Sequence, residues 1–478
     1  MDGSTIAVGF GERHFGKARL GDKRRTRRLV RTAELMMQHP GGPLTEKLNE
    51  RKNLVALYRL LDEEDVTHRR VIQPHLAQTL ELMQAAEGVV LLVHDTTELD
   101  YSHCSQMAEQ LGQIGHGGNR GLLCHNCLAI TPQRQVLGLA SQLLHRRREV
   151  PKGESPKHKR EHPDRESRLW VKAVEAIGPA PAGRLHVDIS DRGSDTWEYA
   201  AYETRHSRRF VLRCAKDRNL EGEDHLGSDR IHQKLHGYAR DLPVQQLRTV
   251  QVAAVPGKHP ARVAQVGVSF APVTLQAPHF VRGQAEELSL QLWVVAVREV
   301  NAPAGVQPLE WLLLTNVPVK TIGDASQRVD WYECRPVVEE YHKAQKTGVQ
   351  IESMHFEEVD RLKPAIALLS VVAVGLLQMR QLAWEPQAQQ TPATVVMPPL
   401  HVAVLSLWRW GQVRMDMNVR EFCLALGAMG GHQNRRRDGL PGWLTLWRGW
   451  QRLMPMVQGA QALQQIEAAK AGQRCVSG

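Results

Sequence analysis

The spacing of hydrophobic and polar positions changes several times along the chain, and each change marks an element. From Lys23 to Gln38 the apolar residues recur at helical spacing, with Leu29, Ala33, Met36 and Met37 on one side. Asp22 can cap this helix and Pro40-Gly-Gly-Pro43 stops it. Two further helices are expected over about 48–61 and 68–86. After Gly88 the spacing shifts to a run, Val89-Val-Leu-Leu-Val93, that predicts a fully buried strand with Asp95 just past its end. Residues 121–130 and 136–144 predict two more strands. A polar, basic stretch over 146–166 reads as a loop, followed by a helix over 167–177. Arg184-Leu-His-Val-Asp-Ile-Ser190 alternates into a strand, and Asp191-Arg-Gly-Ser-Asp195 follows it. A second carboxylate therefore stands at the end of a predicted strand. A helix over 196–206 leads to a strand over 210–214. From 220 to 308 the pattern is strands and turns, clearest at 247–255, 264–271 and 288–297, with a basic turn at Gly257-Lys-His-Pro-Ala-Arg262. Trp311-Leu-Leu-Leu-Thr315 returns to the core, and a helix over 362–381 packs beside it.

These elements predict an α/β chain of three parts. Residues 1–86 form a helical domain, 87–384 a mixed α/β core interrupted by an all-β block at 220–308, and 400–478 a helical domain beyond the linker Glu385–Pro392. Trp443, Trp447 and Trp450 share one helix face in the last part, suited either to core packing or to a partner surface.

Charge narrows the partner. The 478 residues hold 61 Lys+Arg against 51 Asp+Glu, a net charge of +10, which favours a polyanion. The predicted first helix concentrates this charge in Arg24, Arg25, Arg27, Arg28 and Arg31, a composition that suits DNA phosphate contact as well as plain solvation. The seven scattered cysteines predict free thiols in a reducing cytoplasm. Cys124-His-Asn-Cys127 lacks the second pair that a zinc finger needs. The start shows no signal-peptide pattern, and the longest apolar run, over 365–377, reads as a buried helix, so no membrane partner is expected.

One stretch combines charge with core-like spacing. Placed on a single helix, Tyr332, Arg335, Glu339, Lys343 and Lys346 fall within an arc of about 80°. Three cations flank one carboxylate, as a site holding phosphates and a metal requires; a solvated helix face is the alternative. The spacing Tyr-x2-Arg-x3-Glu-x6-Lys resembles the signature of bacterial insertion-sequence transposases of the DDE class. Leu20-Gly-Asp-x-Arg-Arg-Thr26, His94-Asp-Thr-Thr97 and Asp191-Arg-Gly-x-Asp195 are similar to further motifs of that family, in the same order. Pro336 departs from the pattern. Proline is accepted only in a first helical turn, so the helix carrying Glu339 is expected to start there, with Tyr332 and Arg335 on the preceding turn.

The resemblance implies an RNase H-like mixed-sheet core with an all-β insertion, flanked by an N-terminal domain that binds transposon ends and a C-terminal helical dimerisation domain. It implies Asp95, Asp191 and Glu339 as catalytic and metal-binding residues. Three carboxylates from separate elements suit two hard cations, Mg2+ or Mn2+, that serve an in-line phosphoryl displacement. It further implies DNA contacts from Arg24, Arg25, Arg27, Arg28, Arg213, Tyr332, Arg335, Lys343 and Lys346. Trp311 resembles the residue on which a flipped terminal base stacks; on the residues alone, a core tryptophan fits as well. Asp195 is expected to support its turn. The implied activity is cleavage of double-stranded DNA through a hairpin and strand transfer into target DNA, by a homodimer in the bacterial cytoplasm, associated with the nucleoid when bound to DNA. Two alternatives keep the fold: a hydrolytic endonuclease without strand transfer, and a DNA-binding regulator with a decayed site.

Overall fold

A computed structural model describes residues 9–476 except 40, 222–233, 253–260, 282, 284–285 and 436–437. The chain divides into two compact units, and neither is one continuous stretch. The first unit comprises 1–81, 98–122 and 340–478; the second comprises 82–97 and 123–339.

In the first unit the helix Lys23–Gln38 forms with the predicted bounds, and the Asp22 carboxylate accepts the Arg24 N–H at 2.7 Å. Its apolar stripe is buried, together with Thr32 and Leu35. The helices Phe10–Phe15 and Arg51–Leu61 pack on it. Gly11 makes the first crossing possible: a Cβ there would come within 2.2 Å of the Val30 carbonyl oxygen. The helix Val359–Trp384 is buried nearly all round from Leu362 to Leu377, as expected of a central helix. By length and composition it could cross a membrane, but 89% of its most apolar window is buried inside the unit. Ser370, the one polar residue from Ala365 to Leu377, takes a hydrogen bond from Tyr341 at its carbonyl (3.1 Å) and from Gln345 at its hydroxyl (3.0 Å). The helices Val419–Met429 and Trp443–Val476 pack against it. Trp443, Trp447 and Trp450 are buried, and Trp450 stacks on His401. They are core residues, with no face left for a partner.

Ten strands are described: β1 (Val89–Asp100), β2 (Gly112–Gln113), β3 (Arg120–Ile130), β4 (Val136–His145), β5 (Leu185–Ser190), β6 (Arg209–Arg213), β7 (Gln246–Val252), β8 (Arg262–Gln276), β9 (Ser289–Glu299) and β10 (Glu310–Thr315). The short β2 pairs with the start of β3 within the first unit. In the second unit the sheet runs β3-β1-β5-β6-β10-β9-β8-β7, with β4 beside β3. β1, β5 and β6 are parallel, and β6 through β7 are antiparallel neighbours. The sheet is therefore mixed. Val90 and Leu92 pack with Met83, Cys127 and Ala129 on one face, and Leu91 and Val93 are buried on the other. Burial on both faces explains why β1 reads as an unbroken apolar run.

The block at 220–308 is not purely β and not a separate sheet. It contains the helix Leu235–Asp241, and its strands continue the core sheet through the β9–β10 pairing. Residues 257–260 of the basic turn at 257–262 lie outside the described residues, and Arg262 opens β8. Most of the stretch 146–166 is irregular, as expected, but Pro156–Glu161 forms a short helix that Ser155 caps.

Candidate active site

The parallel pairing of β1 and β5 brings two carboxylates together. Their register runs from Val89↔Leu185 to Val93↔Ile189, a constant offset, and two residues further it sets Asp95 beside Asp191. Asp95 is inside the longer β1 rather than past its end, and it stands beyond the last β5 partner. Asp191 directly follows β5 and caps the turn Arg192–Ser194, accepting the Gly193 N–H at 2.8 Å through Oδ1. Gly193 allows this turn to press on Trp170, since a Cβ would lie 2.9 Å from the indole. Asp95 uses its Oδ1 in the same way, on the Thr96 N–H at 2.8 Å. Each aspartate thus keeps Oδ2 for another partner.

That partner is Arg335. Its Nη2 lies 2.8 Å from Asp95 Oδ2 and 3.5 Å from Asp191 Oδ2, and its Nη1 donates to Glu339 Oε1. The expected break at Pro336 explains this geometry. The helix Ile322–Tyr332 ends, residues 333–335 form a turn, and a new helix, Pro336–Lys343, carries Glu339 in its first turn. The single-helix arc therefore does not form. What forms instead is a guanidinium on a turn, reaching two strand ends and the next helix. Burial pushes the Asp95 carboxyl up to about 6 although Arg335 pulls it down, and Asp191 adds to the rise.

Tyr332, Trp311 and Arg213 gather in the same unit. The Tyr332 and Trp311 rings are 5.9 Å apart, and the Arg213 guanidinium reaches the Tyr332 hydroxyl. Arg213 also donates to the Glu310 carbonyl at 3.0 Å. Trp311 is half-buried, between the two roles open to it in the sequence. Lys343 and Lys346 fall in the first unit, where Lys343 is exposed and Lys346 pairs with Glu352 at 3.1 Å. Asp195 is buried and accepts the N–H groups of Ala215 (2.7 Å) and Lys216 (2.8 Å) and the Arg218 guanidinium. It ties the chain after β6 to the turn of Asp191.

Below Asp95 and Asp191 lies a cluster with no counterpart in the sequence reading. Asp188 of β5 accepts from His94 at 2.8 Å and from Arg208 at 2.9 Å, and Arg208 Nε lies 3.4 Å from Glu203. His94 stacks near His125, whose Nδ1 meets the Thr96 hydroxyl at 2.8 Å. Burial raises the Asp188 carboxyl, but Arg208 and His94 outweigh it and hold the group below its ordinary value. Burial and the Asp188 charge push the Glu203 carboxyl well above its ordinary value, although Arg208 pulls it down. The signal was a single one: an aspartate at a core position of a strand.

The N-terminal arginines divide by use. Arg24 folds back on Asp22, and Arg25 is held by Glu63, Asp65 and the Leu20 carbonyl. Arg28 reaches Asn53 at 3.4 Å, while Arg27 and Arg31 are exposed. Cys124 and Cys127 are buried, are not disulfide-bonded and stand three residues apart on β3, so they face opposite sides of the sheet. Residues 8–66 match the family model described as transposase DNA-binding. This part of the chain is thus similar to a transposase DNA-binding domain, which supports DNA as a partner.

Proposed function

We propose that the chain is a DDE transposase whose catalytic residues are Asp95, Asp191 and Glu339. The observation that carries this reading is the convergence of three carboxylates, one inside β1, one just after the parallel β5 and one on a helix, on the single cation Arg335. The DNA-binding domain at 8–66 supports the same reading.

Among the described residues, no group of three His, Cys, Asp or Glu side chains is placed to share a metal ion. What stands between the carboxylates is a guanidinium, and the donor set is chemically suited to another cation: three carboxylates, all hard oxygen ligands. Asp95, Asp191 and Glu339 would hold Mg2+ or Mn2+. Two such ions supply charge to the attacking and leaving oxygens of an in-line phosphoryl displacement. The chain supplies the rest. β1 and β5 fix the two aspartates at neighbouring strand ends, and Asp195 steadies the turn between Asp191 and the segment after Arg213. Arg335, released from the carboxylates, takes a DNA phosphate beside the cut, as do Tyr332 and Arg213, and Lys343 and Lys346 are further DNA contacts. Trp311 offers a face for a base displaced from the duplex. Cleavage proceeds through a hairpin and ends in strand transfer by a DNA-bound homodimer.

The test uses donor DNA carrying the sequences that flank the reading frame. Asp95→Asn, Asp191→Asn and Glu339→Gln should each abolish nicking of supercoiled donor with magnesium present. Binding of a duplex of the element end, measured without divalent metal, should persist. A variant that nicks at the wild-type rate removes its residue from the site. Nicking without any joined product would assign a hydrolytic nuclease instead.

A further inference from the structure

Beside the turn of Asp191 the second unit carries a pocket of about 270 Å³. Arg192, Arg213, Cys214, His236, Arg240 and Glu310 line it. They come from four elements: the turn after β5, the end of β6, the helix Leu235–Asp241 and the start of β10. Three guanidiniums meet one carboxylate, so the wall carries an excess of positive charge. Glu310 is fully engaged, taking Arg240 through both oxygens at 2.9 and 2.8 Å. Arg192 is exposed and has no ion-pair partner among the described residues. Arg213 has a buried Nε without a hydrogen-bond partner. Buried donors are ordinarily satisfied, so an unfilled one in a basic wall points to an acceptor that arrives from outside.

We infer that this pocket is a phosphate subsite that takes one phosphodiester of the DNA strand next to the one being cut, through Arg192, Arg213, Arg240 and His236. The inference rests on the strand-cleavage reading above. Position supports it, because Arg192 is the residue after Asp191 and Arg213 also reaches Tyr332. Size supports it too. A pocket of this volume admits a phosphate and its sugar but is far too small for a duplex. Glu310 acts as the resident anion. Its pair with Arg240 is partly exposed, and such pairs are held weakly enough to be exchanged for a phosphate.

The test is binding, not cleavage. The full chain is titrated with a labelled duplex of the element end in EDTA, at several salt concentrations. Arg192→Ala and Arg240→Ala should each lower affinity and reduce the slope of log K against log salt by about 0.7–0.9, one phosphate contact. Glu310→Gln should act oppositely and tighten binding, because it frees Arg240. A neutral methylphosphonate at one phosphate beside the cut should weaken the wild type and leave the two arginine variants unchanged. Equal weakening by Arg240→Ala and Glu310→Gln would make the pair structural only and overturn the subsite; so would unchanged slopes. If inorganic phosphate raises the melting temperature of the wild type but not of Arg192→Ala, while the DNA slopes stay fixed, the pocket serves free phosphate and the DNA assignment falls. Glu310→Gln keeps the test open if Arg240→Ala does not fold. Reduced slopes together with normal nicking by the aspartate variants would sink the proposed catalytic residues and leave the subsite standing.

Discussion

β1 and β5 carry two polar clusters a few residues apart, and they are built on opposite terms. The inner one joins His94, Asp188, Arg208 and Glu203, all buried, with the Asp188 charge balanced by Arg208. The outer one gathers three carboxylates on Arg335, and Glu339 keeps 55% of its side chain in solvent. The inner cluster can exchange nothing without unfolding. The outer one is partly open to solvent, so its carboxylates can meet another cation in place of the guanidinium while the strands stay in place. Adjacent residues thus belong to different clusters: His94 bonds Asp188 inside, and Asp95 meets Arg335 in the outer one. The same division recurs in the N-terminal domain, where Arg25 is closed off by two carboxylates and Arg27 is left open.

The strongest way to break the comparison is to remove the inner charge. Asp188→Ala would leave Arg208 buried without its counterion and His94 without its acceptor. Truncating one partner of a buried ion pair costs about 3–5 kcal/mol. Urea unfolding of the purified variant should show that loss, or the variant should fail to accumulate as soluble protein. A loss below about 1 kcal/mol, the level of an exposed pair, would mean that the inner cluster is as replaceable as the outer one.

A smaller effect is expected from the buried pair His14 and His75, whose Nδ1 atoms are 3.0 Å apart. Burial pushes His75 down to about 3 and His14 well below the usual imidazole range, with the neighbouring ring and Arg13 adding to the fall in His14. Both are neutral when folded. The unfolded chain takes up protons near pH 6.5, so their contribution is full above that pH and is lost as pH falls toward 3. Each can cost at most about 1.4 kcal/mol per pH unit in that window. The urea midpoint should fall between pH 7 and pH 5, and His75→Gln should flatten the dependence. His401, pushed down to about 4 in the same unit, leaves a remainder. An unchanged dependence in the variant would show that this pair is not what titrates.

What was legible in the sequence was local. The helix Lys23–Gln38 was readable from one apolar stripe and one cap, and Asp191 from its place at the end of an alternating strand, whereas β1 runs on past Asp95 to Asp100. Pro336 correctly located the start of the helix that carries Glu339. What was not legible depends on pairing between distant segments. The block at 220–308 reads as a separate β unit because nothing local shows that β9 joins β10. Asp188 reads as one polar residue in an alternating strand because its partners, His94 and Arg208, lie on other elements. The role of Arg335 was hidden for the same reason: a helical wheel keeps it among cations, whereas the turn after Tyr332 delivers it to carboxylates on two strands.

The smallest change tests the comparison where the chain meets DNA. Arg25 and Arg27 are two positions apart on one helix and were equivalent as basic residues. Arg25 donates to Glu63, Asp65 and the Leu20 carbonyl, so its charge is already spent inside the domain. Arg27 is exposed, and its charge is available to a phosphate. Arg27→Ala should therefore change stability by less than about 0.5 kcal/mol, as a surface substitution does, yet reduce the salt slope of end binding by about 0.9. Arg25→Ala should do the reverse: it leaves the slope nearly intact and lowers the unfolding midpoint, because it leaves Glu63 and Asp65 without their shared cation. The partners of Arg25 are partly exposed, so that loss should stay near 1 kcal/mol. A duplex titration over salt and a urea melt of each variant decide the matter. If Arg25→Ala removes the larger share of the slope, the arginine that is closed off in this structure opens on DNA, and the division between enclosed and reachable charge does not hold for this domain.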